Sequence, residues 1–217
     1  LNTKIWHDVI KKIKQEKIEY NEVKKMAEKM TEEEIINRIA GGDETDGSCA
    51  SLAFAYIASK AGCDILDFRG GASLDFFATR KNRVTLFNRY LKTFSNKNGF
   101  IAANLALNSM DEDKEYYFFT GKHAAIVRKT NGVLEYLELQ DSIITGNGFK
   151  KFNPTKAFLK SRFGCRGQRS IYGTKLDQFA YLAEIDDILN NDKFVELMGY
   201  INTEEQKQKK SVNGSIK

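Results

Sequence analysis

The sequence predicts an α+β fold, with N-terminal helices and a cysteine-bearing helix packed against a small antiparallel sheet. Three observations carry that expectation. Apolar residues recur at helical spacing through most of residues 4–110. From Glu115 to Leu139 the pattern changes to runs of aromatic and β-branched residues. Asn131-Gly132 sits between two of those runs, the strongest short-range hairpin signal a chain can carry.

Taken in order, residues 4–18 put Ile5, Trp6, Val9, Ile10 and Ile13 on one face of an amphipathic helix, with His7 on its flank in no chemical role. A second helix is expected over about residues 21–30. Thr31 and Glu34 read as a capping box that opens a third, ending at Gly41-Gly42. These elements form a helical preface, 1–40, to a main domain, 41–202. Within that domain Gly47 turns the backbone, Ser48 caps a helix whose first residue is Cys49, and Gly62 closes it. A short strand follows at Asp64–Phe68, then a brief helix capped by Ser73 and running through Phe77. Helices are expected over Val84–Phe94 and Ile101–Met110. Strands follow at Tyr116–Phe119, His123–Arg128 and Val133–Leu139. Pro154 opens a helix through Leu159, Phe179–Ile185 is a strand or a buried run, and Phe194–Met198 is a short helix. Residues 203–217 read as a flexible polar tail.

Composition narrows the function classes. A chain of 217 residues, 41% hydrophobic and 29% charged, is globular in character. No apolar run approaches the roughly 20 residues of a membrane span, and the first residues lack the apolar segment of a secretory signal. Because the chain opens on Leu, it is expected to be a piece of something longer. Cys49, Cys63 and Cys165 are too widely spaced for a disulfide framework or a Cys-x-x-Cys clip, and two histidines do not suggest zinc. A reducing compartment, no metal and no cofactor are the expectation. The net charge of +5 is mild and Lys alternates with Glu, so neither nucleic acid nor membrane is an expected partner.

Two stretches carry chemistry. A cysteine at the mouth of an apolar helix, after the polar loop Gly41–Ser48, meets unpaired N–H groups and the positive end of the helix dipole, which favour thiolate. In the hairpin, a two-residue Asn131-Gly132 turn pairs Thr130 with Val133. Counting outward sets Arg128 against Glu135 and His123 against Gln140, with Glu138 diagonal to His123. An acid or an amide beside His123 is what a general-base imidazole needs to fix its tautomer. Cysteine, then strand histidine, then a polar residue on the next strand is the chain order of a papain-type thiol site.

Gly47-Ser48-Cys49, Ala61–Leu66, Gly121–Ala124 and the run from Asn131-Gly132 to Leu137-Glu138-Leu139-Gln140 resemble the papain-fold toxin domains of bacterial polymorphic toxins and similar modules on phage minor head proteins. The resemblance spans about residues 41–142. It implies a papain-like fold and a cysteine hydrolase or acyltransferase, with Cys49 as nucleophile and His123 as base. The third member is Glu138 or Gln140. It also implies a protein or peptide substrate and action in the cytoplasm or in a target cell's cytosol, and it leaves room for a cognate immunity protein. The chain departs from the family pattern in three places: Lys122 lies between the glycine and the histidine, Glu138 stands for Asp, and Leu139 stands for Pro. Asp46 and Ser48, ahead of the cysteine, and Arg69, at a glycine turn, are the substrate-binding candidates. Asp43 occupies the place of the glutamine that donates to the oxyanion in papain-like peptidases; an ionised Asp cannot donate, which favours deamidase or transglutaminase chemistry over a conventional peptidase. Asn104 or Gln140 is the substitute donor. Two alternatives stand beside this reading. Asp67-Phe68-Arg69-Gly70 resembles the Arg-Gly strand of ADP-ribosyltransferase-like enzymes, although Glu135 and Glu138 are spaced differently from that family's closing acidic motif. The other alternative is a non-enzymatic papain-fold binding module.

Overall fold

The computed structural model describes residues 3–40, 49–65, 71–87, 89–140 and 146–202. The chain divides into two units, one from Leu1–Arg89, Glu138–Gly148 and Asp186–Lys217, the other from Tyr90–Leu137 and Phe149–Ile185. Helices and an antiparallel sheet coexist, as an α+β fold requires.

The first unit is helical. Helix α1 (Thr3–Gln15) buries Trp6, Val9 and Ile13 and exposes its lysines. After it come β1 (Lys24–Lys25) and α2 (Glu32–Ile39). The Thr31–Glu34 capping box is complete: the Thr31 hydroxyl accepts from Glu34 N–H at 3.2 Å, and Glu34 accepts from Thr31 N–H at 2.7 Å. Helix α3 (Cys49–Lys60) is buried continuously from Ala50 to Ser59. It is apolar on every side, so it forms the centre of the unit rather than a face of it. β2 (Cys63–Asp64), α4 (Gly71–Ala78) and α5 (Arg80–Phe87) follow, and α8 (Ile185–Leu189) and α9 (Phe194–Met198) return to the unit. Phe54 of α3 touches Phe77 of α4, Phe87 of α5 and Phe194 of α9, with ring centroids 6.2, 5.2 and 6.5 Å away.

The second unit is a sheet with two helices on one face; the last residue of β6, Glu138, and the first of β7, Gly148, are counted with the first unit. The strands are β3 (Lys92–Asn96), β4 (Glu115–Thr120), β5 (His123–Thr130), β6 (Val133–Glu138), β7 (Gly148–Lys151) and β10 (Gln178–Glu184), in the order β3-β10-β4-β5-β6-β7. All pairings from β3 to β6 are antiparallel. Helices α6 (Gly99–Asn108) and α7 (Lys156–Phe163) share a core with the sheet, where Ala102, Ala106, Leu159 and Phe163 meet Phe118, Val127 and Leu182. A separate two-stranded hairpin, β8 (Ser170–Ile171) and β9 (Thr174–Lys175), precedes β10. The Asn131-Gly132 turn has φ of 52° and 75°, the left-handed pair that a type I′ turn requires. It sets the expected register from Thr130↔Val133 through Arg128↔Glu135 to Val127↔Tyr136.

Several elements differ from expectation. Residues 21–30 are not helical: Met26 N–H donates to Gly62 O at 2.8 Å, and Lys24 and Lys25 pair with Asp64 and Cys63. A distant strand thus takes the hydrogen bonds a helix would have used. Ser73 lies inside α4 rather than capping it, and its buried hydroxyl donates to Tyr200 O at 2.7 Å. The helix expected over Val84–Phe94 starts earlier and stops at Phe87; Phe94 lies on β3, opposite Ala180. Pro154 precedes the α7 N-cap, Thr155, instead of opening the helix.

Phe54→Ala should cost about 3–5 kcal/mol of stability, because it leaves a cavity that four rigid helices share. Urea denaturation measures this, and a loss below about 1 kcal/mol would mean Phe54 does not organise the unit.

Candidate active site

Cys49 begins α3 and is half-buried, whereas Cys63 and Cys165 are buried; no disulfide joins them. Cys63 sits in β2 with the Lys25 ammonium 3.8 Å from its sulfur. Cys165 lies beside Thr120, whose hydroxyl is 3.8 Å from its sulfur and 2.9 Å from Phe179 O. Burial pushes the Cys165 thiol up, and the Thr120 contact offsets only part of that. Cysteine accessibility therefore favours Cys49.

His123 is the first residue of β5 and pairs with Thr120 across the Gly121-Lys122 turn. Its ring stands edge-to-face on Phe163, centroids 5.2 Å apart. The turn is fixed to the end of α7. Lys122 N–H donates to Phe163 O at 2.8 Å, and Gly164 caps α7 in the left-handed conformation. Gly121 has φ of 58°, and a Cβ there would lie 2.3 Å from Phe163 O. No other residue fits. His123 is half-buried and shares the strand parity of Ala125 and Val127.

Glu138 ends β6 on the parity of Leu134 and Tyr136. It is buried, and its Oε1 accepts from Gln140 N–H at 2.9 Å. The pairs between β5 and β6 run from Thr130↔Val133 to Val127↔Tyr136, and Gln140 lies beyond the end of β6. Gln140 is therefore not the direct cross-strand partner of His123. That place belongs to Thr120 on the other neighbour, β4.

Glu138 and Gln140 are thus brought together within the first unit, which also holds Cys49, while His123 belongs to the second. Asn104 is committed elsewhere: its amide donates to Phe100 O at 2.9 Å and Pro154 O at 3.3 Å, tying α6 to the approach of α7. Asp43, Asp46, Ser48 and Arg69 lie outside the described residues, as does the tail from Thr203. The residues that hold His123, namely Phe163 and Gly164, carried a signal the sequence reading passed over: a glycine directly after a helical run is a C-cap.

Comparison with protein-family models, with curated proteins and with solved structures finds no match to this chain. Among the described residues, no helix is long and apolar enough to cross a membrane, and no group of three or more His, Cys, Asp or Glu side chains could hold a metal ion.

Gly121→Ala should cost about 2–4 kcal/mol, the sum of left-handed strain and collision with the Phe163 carbonyl. Gly132→Ala, with nothing within 4 Å of its Cβ, should cost only about 1–2 kcal/mol from its φ. Equal losses in urea denaturation would mean that the approach of α7 does not fix the turn before His123.

Proposed function

We propose that the chain is a papain-like, thiol-dependent acyl-transfer enzyme in which Cys49 is the nucleophile, His123 the general base and Glu138 the group that orients it. The observation that carries this reading is the contrast among the cysteines: the one at a helix start is accessible, and the two others are buried. The Cys49 thiolate attacks a substrate amide carbonyl, forming a C–S bond, and the helix-start N–H stabilises the oxyanion. His123, holding the thiol proton as imidazolium, passes it to the leaving nitrogen as the C–N bond breaks. Water or an amine then cleaves the thioester, its proton returning through His123. The substrate class is a protein or peptide, with the carbonyl drawn from a glutamine side chain or a backbone amide, and the site of action is the cytosol. A role as a toxin or effector domain, with an immunity protein as partner, follows the same reading.

The ADP-ribosyltransferase alternative has less support. Glu135 accepts an ion pair from Arg128 at 3.3 Å, and its odd separation from Glu138 puts the two acids on opposite faces of β6. One face cannot present both.

The test is intact-mass detection of an acyl adduct on Cys49 with glutamine-containing and backbone-ester peptides, together with ammonia release from casein. Cys49→Ala should abolish adduct and turnover while leaving the fold intact. Glu138→Gln should lower the rate about 10²-fold, and Gln140→Ala should lower it less. Turnover that survives in folded Cys49→Ala refutes the thiol mechanism.

A further inference from the structure

The β8–β9 hairpin carries residues that folding alone does not require. Its turn is Tyr172-Gly173, with φ of 49° and 79°. These lie within 4° of the left-handed values, 52° and 75°, of the Asn131-Gly132 hairpin turn. Asparagine tolerates that region; a tyrosine there costs about 1–2 kcal/mol. Burial does not repay the cost, because Tyr172 is fully exposed, at 103%. Ile171 beside it is 52% exposed. Arg169 and Lys175 lie at the base of the hairpin and Arg166 just before it, all exposed, and none of their cationic groups has an ion pair or hydrogen bond among the described residues.

The base of the hairpin is held firmly. Leu176 N–H donates to Arg169 O at 2.8 Å, and Gly99 N–H to Arg166 O at 3.0 Å. Gln178 Nε2 donates to Gly167 O and to Lys97 O, while the Lys97 ammonium reaches Lys175 O at 3.2 Å and Asp177 at 2.9 Å. An anchored base under an exposed aromatic tip is pre-organised for contact.

We propose that this hairpin docks onto an acidic surface of a partner protein, with Tyr172 and Ile171 entering an apolar pocket and Arg166, Arg169 and Lys175 meeting the carboxylates around it. Tyrosine and arginine are the residue types that anchor protein interfaces. Ile171 supplies aliphatic surface but no flat face for a base, and one aromatic ring is not the succession of platforms that single-stranded nucleic acid uses. The inference is independent of the catalytic reading.

Fluorescence anisotropy of the full chain with three labelled polymers of matched length tests it: a random glutamate–tyrosine copolymer, polyglutamate and oligo(dT). The copolymer should bind more tightly than the other two, and more weakly as salt rises. Tyr172→Asn should weaken copolymer binding about tenfold and leave the melting temperature unchanged or raised, because Asn suits the turn better. Arg169→Glu should also weaken it. Copolymer affinity unaffected by Tyr172→Asn would overturn the proposal. So would a lowered melting temperature, which would make Tyr172 a structural residue, or tightest binding to oligo(dT), which would make the hairpin a nucleic-acid surface.

Discussion

A helix that is apolar on every side has one stable environment, which is enclosure by other elements, and α3 imposes that requirement on the first unit. Burying a phenylalanine side chain contributes about 1.5–3 kcal/mol, and Phe54 sits where α4, α5 and α9 all meet α3. The same enclosure decides where chemistry can occur along the helix. With Ala50 to Ser59 buried, only the two ends meet solvent: Lys60 at one and Cys49 at the other. The half-buried thiol of Cys49 lies at the N-terminal end. The core and the proposed nucleophile are two consequences of one apolar run.

The histidine is held by a different device. A strand histidine next to a flexible turn would leave its ring poorly aimed, and the general-base role proposed for His123 depends on aim before pKa. Here the turn is not free. Gly121 and Gly164 meet as two left-handed residues in close contact, and Lys122 N–H completes the end of α7. Phe163 then offers a ring edge-to-face to the imidazole and passes packing on to Phe118 and Phe158, at 5.2 and 6.1 Å. The turn before His123 is thus held by the cap of α7.

Elements governed by local rules were legible in the sequence. The Thr31–Glu34 capping box and the Asn131-Gly132 turn depend on residues within a few positions, and both have the expected geometry. Elements governed by distant partners were not. Residues 21–30 contain enough lysine and glutamate to suggest a helix, yet Gly62 and Cys63, far along the chain, claim that backbone. Phe94 fits the helical spacing that Leu86 and Phe87 begin, but β10 supplies a strand for it to pair with. The site divides in the same way. Cys49 at a helix start and His123 on a strand were readable from local pattern, whereas Gln140 opposite His123 was extrapolated past the end of β6. The exposed Tyr172 turn was missed because tyrosine is a poor match to the turn chemistry that marks a hairpin.

The proposed pairing of Cys49 with His123 is tested most directly by the rate at which iodoacetamide alkylates Cys49 as a function of pH, read by peptide mass in wild type and His123→Gln. A thiolate held by an imidazolium reacts well below the ordinary thiol range of about 8.5. Wild type should therefore show a rate plateau near neutral pH, and His123→Gln should lose it and rise only as an isolated thiol ionises. Identical profiles for the two proteins, or faster labelling of Cys63 or Cys165 than of Cys49, would contradict the pairing.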